Sequence, residues 1–358
     1  MKNIQTRLFA PEILVDEEYV IELVRHLSRH GTLRDVEDLL REREAPFSGA
    51  SWHNIATKRI LPAISAGKLS TDELLRLLRE TEEHQQQHIF LFCCKRDLAR
   101  ALLAPATVRK WLRSRNLAHL LDRPVLLDTP ESAAFVDARF EAFNQPNDAF
   151  VLKLVTRRTR EREIKAKTVH KDDRIIRHYD VVPERAVTVL RLHANAILEV
   201  RIQAHDVNSR ARYVAELATI WSMVSDYFDP EAFGEYPLDQ ARENLRRNCL
   251  KLAPHVSVIG TGTVDPSGGF DLVIRAARPT ASLQDRPSLV NTVEEFSRAE
   301  GAYSKEISLK WNKREDGRPP QRDVRILISG QPHEFVLMNA CTKADFDVIA
   351  RDIFNRSR

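Results

Sequence analysis

A chain of 358 residues, 43% of them hydrophobic and 30% charged, is too rich in apolar material for global disorder and long enough for two or three domains. Its longest uninterrupted apolar run is Ile89–Cys94, far short of the ~20 residues a membrane span needs, so no membrane association is expected. A net charge of +4 says little about a polyanionic partner until its distribution is known. The start, Met1-Lys2-Asn3-Ile4, lacks the apolar stretch of a secretory signal, and the four cysteines include no Cys-x-x-Cys pair. A disulfide scaffold or four-thiolate zinc site is therefore not expected. These features predict a cytoplasmic (nucleoid-associated) or nuclear protein.

Residues 1–120 read as a helical domain. Tyr19, Val20, Leu23, Val24 and Leu27 recur at three- and four-residue spacing, after a cluster of acids, and predict a helix ending at Gly31. Thr32 caps a second helix striped by Leu33, Val36, Leu39 and Leu40. The break at Pro46–Gly49 precedes a helix over Trp52–Ile64, bent or ended near Pro62. Ser70 and Glu73 form a capping box. Further helices are expected over Gln87–Leu103 and from Thr107. Short helices at this density point to a compact bundle of the death-fold kind, an inference by fold analogy.

Leu121–Ser132, with Pro124 and Pro130, reads as a linker. A second domain, 133–252, opens with strand signals at Ala149–Thr156, Ile164–Val169, Val181–Val182, Ala186–Leu192 and Ala196–Ala204, with a hairpin turn at His193-Ala194-Asn195. Helices follow over Ser209–Phe228 and from Tyr236-Pro237 to about Leu252. A third domain, 253–358, carries strands at His255–Val264 and Phe270–Ala277 around the Asp265–Gly269 turn, and a helix at Leu289–Ala299. Strands at Tyr303–Trp311, Asp323–Ser329 and Glu334–Met338 precede a final helix capped by Thr342. The expected class is α+β: a helical bundle, an antiparallel sheet domain with flanking helices, and a smaller α+β domain.

Charge is concentrated in one segment. Lys153, Arg157, Arg158, Arg160, Arg162, Lys165, Lys167, Lys171, Arg174 and Arg177 stand against Glu161, Glu163, Asp172 and Asp173. Ten bases against four acids give the segment +6, while the whole chain carries +4. A basic strand pair with a long loop can lie along a phosphate backbone; it can equally be a solvated hairpin. A second basic cluster includes Arg109, Lys110 and Arg113, the first and last sharing a helix face. His84 and His88 are spaced to chelate a metal if helical, with Cys93 and Cys94 nearby. No second half of such a site is visible, and packing or capping accounts for these residues as well. Asp148 followed by Glu163-Ile164-Lys165 fits the short acid, then acid-x-lysine pattern of metal-dependent nucleases. No cofactor motif is present: Gly260-Thr261-Gly262 and Gly268-Gly269 read as turns without the Lys-Ser/Thr of a phosphate-binding loop.

Three stretches carry a family resemblance. Phe233-Gly234-Glu235-Tyr236-Pro237-Leu238, running into a helix with Leu245, follows a strand and helix start at Ala196–Tyr213 that includes Arg210-Ala211-Arg212-Tyr213. Upstream lies His84-Gln85-Gln86-Gln87-His88 with an apolar run to Lys95. In this order and spacing they resemble centromere protein N, an inner-kinetochore subunit, over roughly residues 15–250. The resemblance implies a pyrin-like helical domain joined to a β-rich domain, a basic groove for duplex DNA between them, and a C-terminal part that pairs with a related subunit. In a source without histones, only DNA or partner binding carries over.

Three functions follow as expectations. The first is a non-catalytic DNA-binding adaptor. The second is a protein-interaction scaffold or sensor with an oligomeric C-terminal domain, which in a prokaryote could serve antiviral defence. The third is a metal-dependent nuclease.

Overall fold

The computed structural model describes residues 16–142, 148–164, 169–171, 174–205, 209–278, 280–329, 331 and 333–357. It separates into two compact units, residues 1–82 and 83–358.

The first unit is helical: α1 (Glu17–His30), α2 (Leu33–Glu42), α3 (Trp52–Ile55), α4 (Leu61–Ser65) and α5 (Thr71–Glu83). The caps predicted for α2 and α5 are in place. Asp16 caps α1, which carries Glu17 and Glu18 in its first turn and Arg29 and His30 in its last, matching the helix dipole. Thr32 and Asp35 form a capping box on α2, and Ser70 and Glu73 form one ahead of α5. Between α3 and α4 the backbone makes a π-turn over Ala56–Ile60. Pro62 has no N–H to donate one turn back, and the wider turn absorbs that loss.

The second unit is built on an antiparallel sheet of eleven strands among the described residues. In chain order its elements begin β1 (Gln87–Cys93), α6 (Arg96–Leu103), α7 (Pro105–Ser114), β2 (Ala134–Glu141) and β3 (Ala149–Glu163). The short pair β4 (Val169–Lys171) and β5 (Arg174–Ile176) follows, then β6 (Tyr179–His193), β7 (Ile197–Gln203), α8 (Arg210–Val224), β8 (Gly234–Glu235), α9 (Asp239–Arg247) and α10 (Cys249–Leu252). The chain ends with β9 (Val256–Val264), β10 (Asp271–Arg275), α11 (Pro287–Glu300), β11 (Tyr303–Trp311), β12 (Val324–Ile328), β13 (Glu334–Leu337) and α12 (Lys343–Arg356).

The strand order is β10-β9-β11-β12-β13-β1-β7-β6-β3-β2, with β8 also paired to β1. The expected helix over Gln87–Leu103 is thus replaced by a strand and a shorter helix, α6. The apolar run Ile89–Cys94 has neither helical nor alternating periodicity because both faces of β1 are covered. Ile89 and Leu91 enter a core with α9, α10, α11 and α12, while Phe90 and Phe92 enter a second core with α6, α7 and α8. β1 pairs with β13 on one side and β7 on the other. The strands expected in two separate β-rich domains, 133–252 and 253–358, therefore belong to one continuous sheet. Residues 96–120, placed with the helical domain on sequence grounds, pack through Ala99, Leu102, Val108, Trp111, Leu112 and Leu120 into the core of the second unit.

Candidate nucleic-acid interface

The basic segment forms the longest hairpin of the sheet. β3 and β6 pair without interruption from Ala149↔His193 to Glu163↔Tyr179. Their flanking strands stop early: β2 reaches only Val155, and β7 reaches only Thr188. Beyond that point the hairpin is a two-stranded ribbon. About eight residues per strand at ~3.3 Å each carry it roughly 26 Å past the body of the sheet. Burial marks the boundary, since β6 is exposed over Tyr179–Pro183 and buried from Arg185 onward.

An isolated two-stranded ribbon is marginal in water, and this one is anchored at its root. Arg158 donates from Nη2 to both Glu216 oxygens (2.8 and 2.7 Å) on α8, and from Nη1 to the Gln203 carbonyl (2.8 Å). On the opposite sheet face, Arg185 donates to the Leu127 carbonyl (2.8 Å). Arg158 is therefore a structural clasp and not an accessible phosphate contact.

Further out, Arg157, Arg160, Arg174 and Arg177 are exposed. Arg160 keeps 57% of its side chain accessible with Glu184 at 3.9 Å, and Arg177 keeps 55% with Glu163 at 3.8 Å. Such loose surface pairs are worth ~1 kcal/mol or less, so both guanidiniums can be recruited by a phosphate. Tyr179, Val181 and Val182 are exposed between them, at 47%, 65% and 44%. Lys165 and Lys167 lie outside the described residues, as do the side chains of Arg162 and Lys171. The second cluster, Arg109, Lys110 and Arg113, is exposed on α7. That helix packs on the sheet face to which Leu152, Leu154 and Arg158 point; by strand alternation Arg160 shares this face, whereas Arg157 points to the opposite one with Arg185.

Lys153, counted with the basic segment from sequence, belongs to a different arrangement. Its ammonium lies 3.1 Å from Glu83 and is almost wholly buried. Around it, Arg139 binds Glu83, Asp137 and Glu141 at 2.5–2.6 Å. Arg191 meets Asp347 of α12 and lies 3.6 Å from Glu141, and His193 bonds Glu199 at 2.8 Å. Burial pushes the Glu83 carboxyl up, but the Arg139 and Lys153 charges outweigh it and hold it well below the usual carboxylate range. The same opposition, with Arg139 and Arg191 prevailing, brings Glu141 down to about 2. Opposite charges interleave throughout, as a network that fixes strand and helix positions requires.

The histidine pair is not a chelate. α5 ends at Glu83, so His84 and His88 do not share a helix. His88 Nε2 is 2.9 Å from Glu334, which also accepts from Arg210. His84 is fully buried, and burial together with the Arg201 charge pushes its imidazole down to about 3. No group of three or more potential ligands is placed to hold a metal among the described residues. The nuclease candidates are also separated. Asp148 immediately precedes β3 and Glu163 ends it, so fifteen residues of extended strand hold them roughly 50 Å apart. They cannot share a magnesium ion.

Sequence reasoning missed the network of Glu83, Asp137, Arg139, Glu141, Arg191, Glu199 and Asp347, and the Arg158–Glu216 clasp. The available signal was a single charge inside an apolar strand, as in Val151-Leu152-Lys153-Leu154-Val155 and Val189-Leu190-Arg191-Leu192. No protein-family model matches this chain, and no curated protein matches its sequence.

Proposed function

We propose that this chain is a non-catalytic nucleic-acid-binding adaptor whose principal contact is the β3–β6 ribbon. The observation that carries the reading is the exposure of Arg157 and Arg160 on a ribbon that leaves its flanking strands behind, with Arg174 of β5 and Arg177 exposed in the segment that joins its two strands. A two-stranded ribbon fits the width of a duplex groove, and each arginine set against a phosphate releases a condensed counterion. Arg109, Lys110 and Arg113, on the sheet face that Arg160 shares, extend the footprint. The resemblance to centromere protein N supports duplex DNA as the polyanion. The helices of residues 17–83 are proposed as a death-fold-like module that brings a protein partner.

The test is titration of a labelled ~30-base-pair duplex with wild type and a variant in which Arg157, Arg160, Arg174 and Arg177 are replaced by Ser. Wild type binds and leaves the duplex intact with magnesium present, and the variant loses at least about tenfold in affinity. Equal affinity of the two proteins would overturn the reading.

One observation favours a second reading, an oligomeric scaffold. β10 is an edge strand that pairs with β9, and its sequence Asp271-Leu272-Val273-Ile274-Arg275 is self-complementary. Antiparallel pairing of two copies about Val273 sets Asp271 opposite Arg275 of the partner subunit and Leu272 opposite the partner's Ile274. Phe270 and Val273, 75% and 48% exposed, would be covered. Edges of this kind invite pairing unless they are blocked.

A further inference from the structure

We propose that a cleft at the far end of β11 binds a small organic anion: an apolar body ending in a phosphate or carboxylate. The cleft holds about 320 Å³, at the lower bound for small-ligand sites. It lies wholly within the second unit, between α10, α12 and the loop that follows Trp311. Its floor is apolar, built from Leu252, Val256, Trp311, Pro320 and Val348. Three of these, Leu252, Val256 and Trp311, belong to the core of the C-terminal helices, so the floor is a fixed part of the fold.

The walls are held by hydrogen bonds. Asn312 donates from Nδ2 to the Pro254 carbonyl (2.6 Å) and to Ser257 Oγ (2.9 Å), and its backbone N–H donates to the His255 carbonyl (2.9 Å). The Arg314 N–H donates to the Pro320 carbonyl (2.9 Å), closing the loop into a wall.

Above this floor the rim is cationic. Lys251, Arg314 and Arg356 line the cleft with Asp352 as the one carboxylate, three positive charges against one negative, and His255 stands beside them. Arg356 is held by Asp352 (2.9 Å) and Arg314 by Asp316 (2.9 Å). Lys251 is exposed, has no charged partner among the described residues, and is the charge most available to an incoming anion. An apolar floor under an excess of positive charge selects against cations and against strongly hydrated small anions. It favours a ligand whose apolar body is desolvated while its charged end meets Lys251 and the arginines at the mouth. This assignment is independent of the ribbon.

The probe is 8-anilinonaphthalene-1-sulfonate, an apolar ring system with one anionic group, titrated into the full chain by fluorescence. Saturable binding at one site is expected. Lys251→Glu reverses the accessible rim charge, and Val348→Phe fills the floor from α12; each is expected to weaken binding by at least about tenfold. Lys251 is exposed, so its variant keeps the fold, which far-UV circular dichroism verifies. Adenosine monophosphate and octanoate are then added as competitors. Displacement by the first assigns a phosphate ligand and by the second a carboxylate, and either supports the proposal. Absence of wild-type binding, variant titrations that superimpose on wild type, or failure of both competitors would each overturn it.

Discussion

Glu83 joins two cations, Arg139 at 2.5 Å and Lys153 at 3.1 Å, inside the sheet's covered face. Removing one member of a buried pair leaves an uncompensated charge, at a cost of about 3–5 kcal/mol. Glu83→Gln should therefore lower the urea midpoint strongly. Asp97→Asn should leave it unchanged, because Asp97 and Arg100 are 93% and 81% exposed. Equal midpoints for the two variants would refute a structural role for the network.

The same burial sets the response to acid. His84 titrates near 3 in the folded chain against an ordinary 6.5. Between pH 6.5 and 3 the unfolded chain therefore holds a proton that the folded chain lacks. Stability falls by about 1.4 kcal/mol per pH unit for each such proton. Glu141 and Glu199, held near 2 against an ordinary 4.5, add their loss between 4.5 and 2. Urea midpoints should be flat above pH 7, decline below 6.5 and steepen below 4.5, with His84→Phe shallower by one proton in the first window. A midpoint constant from pH 7 to 5 would contradict this. These residues were the least legible in the sequence. Alternation places Lys153 and Arg191 on the face of Val151, Val155, Val187 and Val189, opposite Leu152, Leu154, Leu190 and Leu192, but does not tell whether that face meets water or opposing charge.

Among the elements, those with one exposed face were legible. Their spacing and caps predicted α1, α2, α11, α12 and β11 closely, as the capping boxes at Thr32 and Thr342 illustrate. β1 was not, because burial on both sides erases the period that separates strand from helix, and only its partners β7 and β13 decide the matter. The ribbon was legible in composition but not in geometry: the charge run was plain, whereas the clasping of Arg158 by Glu216 was not. At the sheet edge, β10 carries a prediction of its own. If two copies pair there, Val273→Lys places like charges at the centre of the interface, and sedimentation should show dimers for wild type and monomers for the variant. A wild-type monomer at high concentration would remove the oligomeric reading.

For the whole molecule, the strands expected in two β-rich domains form one sheet, joined by a strand from sequence that precedes both. Composition could not reveal this, since strand order depends on contacts between residues as distant as Ile89 and Phe335. Described by itself, the second unit presents one continuous sheet with one projecting ribbon. No described helix is long and apolar enough to cross a membrane. The central claim, that this arm grips a phosphate backbone, is tested most directly by the salt dependence of duplex affinity. Arg157, Arg160, Arg174 and Arg177 alone contribute about −3.6 to the log–log slope, from roughly −0.9 per phosphate contact, and Arg109, Lys110 and Arg113 make the wild-type slope steeper still. Replacing Arg160 alone should make the slope shallower by about one contact. A wild-type slope near zero, or a slope unmoved by loss of the ribbon arginines, would contradict it.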